Sequence, residues 1–449
     1  MGNKPEKEKT YTLINYGCQM NVRDSETIAG LLEAVGFRPS TDLEETELVV
    51  LNTCSVRHSA ENKVFGKLGE LRKLKRRRPE LLVAVGGCMS QLPEARKALK
   101  KLGVDIVFGT HNLHELPLLL EQAISDPGIV FRVWEDAGEV IESLPTVRKP
   151  GLSAFVNIMF GCDNYCSYCI VPYTRGRERS RKPADILEEI HSLVASGYQE
   201  VTLLGQNVNS YGRGLDEAID FADLLEAANQ VQGLTRIRFT TSHPKDMSDK
   251  LIDAIARLDK VCEHLHVPLQ AGSNKILSAM NRGYTREHYL QLSQRIRQRI
   301  PGVAITTDFI VGFPGESEED FLDTMDMAET VRFDAAFTFR YSQRSGTRAA
   351  EMKDQLSLED KRERLLRLNQ AQYRIATEIN MALEGTEEEV LVEGPSKTNA
   401  TKLTGRTRSN RIIIFSGPES LIGQIIHVRI TEARTFSLFG ELSSTTGGQ

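Results

Sequence analysis

Three of the chain's seven cysteines fall in one short run, Gly161-Cys162-Asp163-Asn164-Tyr165-Cys166-Ser167-Tyr168-Cys169. A structural zinc site closes around four ligands, usually supplied as two spaced pairs. A C-x3-C-x2-C run is too short to hold two pairs, and no second pair follows it. The nearest later candidates, His191 and Cys262, stand alone in apolar surroundings and read as core residues. Three thiolates instead suit three corners of a [4Fe-4S] cube. The fourth iron is then left without a protein ligand and is open to a small molecule.

Cys18, Cys54 and Cys88 form a second trio, each at the end of an apolar run: Tyr11–Gly17, Leu48–Thr53 and Leu81–Gly87. Between the first two lies an amphipathic helix with Ile28, Leu31, Leu32 and Val35 on one face and Gly36 as its stop. Strand, helix and strand at this spacing imply a parallel sheet. The C-terminal ends of parallel strands share the edge where such sheets bind ligands. Three thiolates converging there suggest a second cluster with an open iron. The plainer reading is three buried cysteines acting as small hydrophobes, but each follows a turn-forming Gly or an Asn-Thr pair instead of sitting inside its strand.

These residues must be positioned by more than one domain. The fold class expected is α/β: an N-terminal parallel α/β domain (residues 9–125), an open (β/α)6 partial TIM barrel (148–380) and a small C-terminal β-barrel (383–446). Pro127, Gly128, Pro145, Pro150 and Gly151 mark a linker between the first two. Six strands are predicted after it, at Ala154–Phe160, Glu200–Leu204, Arg236–Thr240, His264–Val267, Ala304–Val311 and Ala335–Tyr341. Six fall short of the eight that close a barrel. Their following loops should line one mouth: the cysteine run, Gly205–Asn209, Ser242-His243-Pro244, Pro268–Ser273, Gly312–Glu316 and Ser342-Gln343-Arg344. A long helix begins near Ser357, with Leu365, Leu368, Ile375 and Ile379 as its packing seam. Beyond Gly385, short alternating strands are predicted at Glu389–Val392, Ile412–Phe415 and Ile425–Ile430.

The 40% hydrophobic and 26% charged residues are those of a globular chain. No apolar stretch approaches the roughly 20 residues a membrane helix needs. The polar Met1–Thr10 lacks the apolar core of a signal peptide, so a reducing, cytoplasmic setting is expected. A net charge of −5 confines any nucleic-acid contact to local patches. Candidates are Arg72–Arg78, Arg175–Lys182 and the acid-free stretch from Gly394 to Pro418, which carries Lys397, Lys402, Arg406, Arg408 and Arg411.

The run Gly161-Cys162-x3-Cys166-x2-Cys169 resembles the signature of the radical S-adenosylmethionine enzymes. The preceding trio, with Asn52-Thr53-Cys54 and Gly86-Gly87-Cys88, is similar to the N-terminal domain of the methylthiotransferases. The closing barrel resembles the TRAM domain with which those enzymes hold RNA. Asn52–Arg57, Asp163–Cys166, Val171–Glu178 and Gly205–Gly212 are similar to the bacterial branch that modifies dimethylallyl-adenosine in tRNA.

The resemblance implies a transferase with two [4Fe-4S] clusters and S-adenosylmethionine as both radical source and methyl donor. Cys162, Cys166 and Cys169 would hold the cluster that reduces S-adenosylmethionine to a 5′-deoxyadenosyl radical. That radical would take hydrogen from C2 of N6-dimethylallyladenosine beside the anticodon. Cys18, Cys54 and Cys88 would hold the auxiliary cluster that carries the sulfur, and no protein acid or base is called for. Gly205, Gln206 and Asn207 are expected at the cofactor's adenosine and carboxylate, with Asp308 and Gly312 as further choices. Arg175, Arg177, Arg344, Arg406 and Arg408 are expected at tRNA phosphates. An external electron donor is implied, no membrane, and a monomer. The alternatives are the family branches acting on threonylcarbamoyl-adenosine tRNA or on a ribosomal protein. From another class comes a non-catalytic iron-sulfur RNA-binding redox sensor.

Overall fold

The computed structural model describes residues 9–55, 58–126 and 128–443, with the side chains of residues 58–60 also excluded. Val56 and Arg57 of the quoted motif, Pro127 of the expected linker and residues 444–446 of the expected last domain lie outside the described residues.

The N-terminal unit is a six-stranded, all-parallel sheet: β1 (Thr10–Tyr16), β2 (Arg38–Pro39), β3 (Leu48–Thr53), β4 (Leu82–Gly87), β5 (Ile106–Phe108) and β6 (Val130–Arg132), in spatial order β2-β1-β3-β4-β5-β6. Strand β3 shows why the sheet is layered. Leu48 and Val50 pack with Ile28, Leu32 and Leu119 on one side, while Val49 and Leu51 pack with Val64, Leu68 and Leu71 on the other. Alternate side chains thus enter two cores, as a parallel strand covered on both faces requires. Each such buried side chain contributes about 1.5–3 kcal/mol. Strands β5 and β6 went unread in the sequence, being only three residues each.

The expected linker is built into the fold. After β6, the Val147 amide donates to the Glu26 carbonyl at 2.9 Å, and Arg148 reaches Glu26 at 2.8 Å and Glu189 at 2.5 Å. Gly30 lets it pass, since a Cβ there would lie 2.3 Å from the Pro145 carbonyl carbon. Arg23 and Arg181 also pair with Glu189, at 3.1 and 2.6 Å, so the carboxylate is held below its usual range even though burial alone would raise it.

The central unit carries β7 (Ser153–Asn157), a two-stranded ribbon of β8 (Met159–Phe160) and β9 (Arg179–Ser180), then β10 (Glu200–Leu204), β11 (Arg236–Thr240), β12 (His264–His266), β13 (Ala304–Val311) and β14 (Ala335–Arg340). The arc runs β7-β10-β11, then β12-β13-β14, all parallel, with the two triplets joined by the Ile237–Val261 bridge and a 3.2 Å Ser242 to His266 backbone bond. Val201, Leu203, Ile237, Leu265 and Ile305 face the outer helices. Their alternates Thr202, Arg238, His264, His266, Thr306 and Asp308 therefore face the lumen. Cys262 is core, at 1% exposure, whereas His191 is exposed on its helix and is not the core residue expected.

The C-terminal unit is a closed five-stranded barrel, β15 (Glu387–Pro395), β16 (Leu403–Thr407), β17 (Ile412–Phe415), β18 (Ile425–Ala433) and β19 (Leu438–Leu442), ordered β15-β16-β17-β19-β18. Two of its strands went unread. Strand β16, Leu-Thr-Gly-Arg-Thr, is polar in composition, and Gly405 passes where a Cβ would meet the Leu391 carbonyl oxygen at 2.4 Å. Arg236, fully buried, donates to the Arg406 carbonyl at 2.7 Å and to Glu389 at 2.7 Å. Arg238 donates to the Thr407 and Arg408 carbonyls at 2.8 and 3.0 Å. This barrel is thereby fixed to the N-terminal ends of the central strands, opposite the mouth.

Candidate functional site

Order β2-β1-β3-β4 reverses direction between β1 and β3, and open parallel sheets bind ligands in the crevice at such a point. Cys18 follows β1, Cys54 follows β3 and Cys88 follows β4, so the sheet brings these three to one edge. Cys18 precedes the helix Gln19–Ala34, and its amide donates to Asn21 Oδ1 at 3.3 Å. Asn21 is fully buried and bonds in turn to Asn52 and the Thr53 carbonyl. Thr53 Oγ1 donates to the Gly86 carbonyl at 2.6 Å. Gly87 has φ +94°, and a Cβ there would lie 2.4 Å from the Thr53 carbonyl oxygen. The Asn-Thr-Cys and Gly-Gly-Cys motifs are the braces of the site.

The second triad sits on the loop after β8. Gly161, at φ +78°, passes where a Cβ would be 2.0 Å from the Arg177 carbonyl oxygen. The Cys162 amide donates to the Gly176 carbonyl at 3.2 Å. Ser167 bonds to the Met280 and Ala279 carbonyls at 3.0 and 2.7 Å, and Asn281 caps the Asn164 and Tyr165 carbonyls. Arg282, 5% exposed, donates to Cys166 Sγ at 3.3 Å and to the Pro268 carbonyl at 2.9 Å. The segment from Ala279 to Arg282 was missed in the sequence. Its one signal is the Asn281-Arg282-Gly283 turn, where Asn281 adopts φ +59°.

Among the described residues no group of three or more His, Cys, Asp or Glu is placed to hold a single metal ion, which needs donors about 2.0–2.3 Å from one point. A cube spreads its thiolate ligands over separate irons. The donor chemistry fits such a group. Burial pushes the Cys169 thiol up to about 12, with the neighbouring Cys166 adding to it, and burial pushes Cys162 up to about 11. Bound iron would supply the positive charge that three thiolates in such a place require. Cys88 is also raised by burial. Cys18 is lowered to about 6, first by a hydrogen bond from Cys54 and then, against burial, by the Arg175 guanidinium.

Around the mouth, buried polar atoms stand without a protein partner: Asn157 Oδ1, Gln206 Oε1, Asn207 Oδ1, Asn209 Oδ1, Ser242 Oγ, His243 Nε2 and Gln270 Oε1. Thr241 and Gln270 adopt φ +73° and +74°, and strain of this kind gathers at ligand sites. A ring of unmet donors and acceptors fits a polar ligand such as S-adenosylmethionine. Gly205 packs against Met159, Gln206 reaches Met20 of the N-terminal unit, and Asn207 donates to Asp246 at 2.8 Å. Asp308 lies in the lumen beside His266 at 3.5 Å. Gly312 lies under the helix that follows the barrel. A Cβ there would strike the Lys361 side chain at 2.3 Å, and its amide donates to Glu316, so it seats the helix Leu358–Met381.

The arginines expected at phosphates need larger correction. Arg175 is 5% exposed and pairs with Asp24 at 2.6 Å. Arg408 bonds to Glu263 at 2.7 Å and to the Val261 carbonyl, while Arg411 pairs with Asp334. Arg408 and Arg411 of the acid-free stretch thus find their counter-charges on the central unit and serve as a domain joint. Arg406 pairs with Glu393 at 3.1 Å, and Arg344 is mostly buried beside Glu61 at 3.6 Å. Arg177 alone of the five is largely exposed, at 79% of its side chain, with Asp163 at 3.2 Å.

The Radical SAM superfamily signature matches residues 156–328, Uncharacterized protein family UPF0004 matches 10–109, and the TRAM domain matches 382–443. A radical S-adenosylmethionine methyltransferase, TsrM, from Kitasatospora setae, solved with cobalamin and a [4Fe-4S] cluster, shares the fold. Its TM-score is 0.58 at 18% identity, over 76% of this chain and 77% of that one. Fold and mouth together define a radical S-adenosylmethionine enzyme.

A relative from Syntrophomonas wolfei named tRNA-2-methylthio-N(6)-dimethylallyladenosine synthase is 69% identical over 442 residues, 98% of this chain and 99% of that one. One of the same name from Carboxydothermus hydrogenoformans is 55% identical over 97% of this chain and 99% of that one. The chain belongs to the tRNA-2-methylthio-N(6)-dimethylallyladenosine synthase family.

Proposed function

We propose that this chain methylthiolates C2 of N6-dimethylallyladenosine beside the anticodon of tRNA, giving 2-methylthio-N6-dimethylallyladenosine. The observation that carries the reading is the pair of cysteine triads, three thiols at a sheet crevice and three on the mouth loop. Cys162, Cys166 and Cys169 would hold one [4Fe-4S] cluster, and Cys18, Cys54 and Cys88 a second. When bound, the clusters and S-adenosylmethionine supply one-electron reduction, a hydrogen-abstracting radical, sulfur and a methyl group.

The chain's own work is positioning and exclusion of water. Gln206 and Asn207 offer unpartnered oxygens to the cofactor's polar ends, and Gly205 keeps the backbone close. His266 is hydrogen-bonded to Thr306 at 3.0 Å and has Asp308 beside it at 3.5 Å, a polar patch in the lumen. Phe337, 58% exposed, stands against His266 with ring centroids 6.0 Å apart. Such a surface suits a splayed-out base from an unpaired loop. Arg177 would meet the phosphates. The electron comes from an external donor, and the chain acts as a monomer. A tRNA substrate places the reaction in the cytoplasm; among the described residues no helix is long and apolar enough to cross a membrane.

The test is anaerobic. Reconstituted protein, dithionite, S-adenosylmethionine and dimethylallyl-modified tRNA are incubated, and the digested nucleosides are weighed. The 2-methylthio nucleoside is expected. Its absence with 5′-deoxyadenosine still formed moves the substrate elsewhere. Absence of both leaves the redox sensor.

A further inference from the structure

The helix Val171–Arg175, which begins two residues after Cys169, stands between the triads. The Thr174 carbonyl accepts from Thr110 Oγ1 of the N-terminal unit at 2.7 Å. The Gly176 carbonyl accepts from the Cys162 amide at 3.2 Å. Between those anchors, the Arg175 side chain, 6% exposed, turns into the N-terminal unit. There it pairs with Asp24 at 2.6 Å, one turn along the helix that Cys18 opens. The helix itself packs against the turn Cys88–Gln91, so the buried guanidinium is carried to the side of the first triad. A single short segment therefore bonds to Cys162 through its backbone, packs against the turn that Cys88 opens, and reaches through Arg175 to the helix that follows Cys18.

We infer that Arg175 is a positioning residue for the sulfur-carrying site: with Asp24 as its brace, it donates to the Cys88 sulfur and locks the two triads in one register. The inference rests on the two-cluster reading above. Its chemistry is that of a planar fork, which can hold a carboxylate on one edge and a thiolate on the other, as an ammonium cannot. A fixed cation beside a cluster also favours the reduced, more negative state.

The test uses full-length protein carrying Cys162→Ala, Cys166→Ala and Cys169→Ala, so that only the first triad can bind iron. Iron content, the electron paramagnetic resonance spectrum and the midpoint potential are compared with and without Arg175→Gln. The expected result is a retained cluster, a potential shifted to more negative values and a changed spectrum, with Arg175→Lys restoring part of the shift. Affinity for tRNA in the otherwise unchanged enzyme is expected to fall less than twofold. An unchanged potential and spectrum with iron intact overturns the inference. So does a tenfold, salt-dependent loss of tRNA affinity with that unchanged potential, which would return Arg175 to a phosphate. If Arg175→Gln takes up no iron, Arg175→Lys is read in its place, and a wild-type potential and spectrum overturns. If the triple variant itself binds no iron, the two-cluster reading fails and takes the inference with it.

Discussion

Cys18, Cys54 and Cys88 come from the ends of three separate strands, whereas Cys162, Cys166 and Cys169 come from one loop. Strands β1, β3 and β4 are neighbours, so roughly 4.8 Å steps between strands set the spacing of the first triad. That triad is as rigid as the sheet and as vulnerable as its core. The second triad takes its spacing from local sequence, and its loop is held by distant groups: Met280, Ala279, Asn281 and the Ala349 amide. Each triad nevertheless has one buried arginine at its side: Arg282 bonds to Cys166, and Arg175 sits on a helix packed against the turn that Cys88 opens. The same need, positive charge beside buried sulfur, is met in both by a residue from outside the triad's own element.

The comparison breaks most sharply on single cysteines. Cys166→Ala is expected to abolish 5′-deoxyadenosine formation. Cys54→Ala should keep that formation, uncoupled, while abolishing the methylthio nucleoside. Both products are read by mass spectrometry, and sulfur transfer retained in Cys54→Ala would refute the sulfur-carrying role of the first triad.

A smaller change tests local against sheet-built spacing. Gly161→Ala forces a Cβ onto the Arg177 carbonyl oxygen, 2.0 Å away. It is expected to cost the second triad its iron and leave the first loaded, halving iron per chain. Loss of all iron would show that the loop and the sheet fold as one unit.

Arg282→Gln removes the donor to Cys166 and leaves the three ligands. A partner of this kind is worth about 10–100-fold in metal affinity or activity. Slower 5′-deoxyadenosine release within that range is expected, with a lowered midpoint potential of the mouth cluster. An unchanged potential would make Arg282 only a tie to Pro268.

The smallest effect belongs to the surface. Arg177→Gln should weaken tRNA binding modestly and reduce the slope of log affinity against log salt by about 1. Arg408→Gln should leave that slope alone and instead loosen the C-terminal barrel, seen as faster proteolysis after Met381. A slope change in Arg408→Gln would restore that hairpin to the RNA surface.

The cysteine run, the three strand-end cysteines, the six central strands and a C-terminal β-unit were all legible in the chain. Apolar alternation, turn residues and ligand spacing are local properties, and these features depend on nothing else. Strands β5, β6 and β16 were not legible, because three-residue strands and a polar barrel strand carry too little periodicity. The arginines were misread for a related reason. Charge along the chain shows that Arg406, Arg408 and Arg411 lack nearby acids, but not that Glu393, Glu263 and Asp334 come to meet them.

By itself the sequence determined which cysteines stand at ligand spacing, how the strands alternate and in what order the units follow. Only the tertiary structure decided what stands beside the thiols. It took Arg175 away from the solvent and paired it with Asp24 beside the first triad, brought Arg282 to Cys166 across more than a hundred residues, and turned a basic hairpin into a joint. Ligand spacing is written within one loop or one strand end. The charge that surrounds a buried sulfur is supplied through space by groups remote in the chain, and only the packed fold fixes which ones arrive.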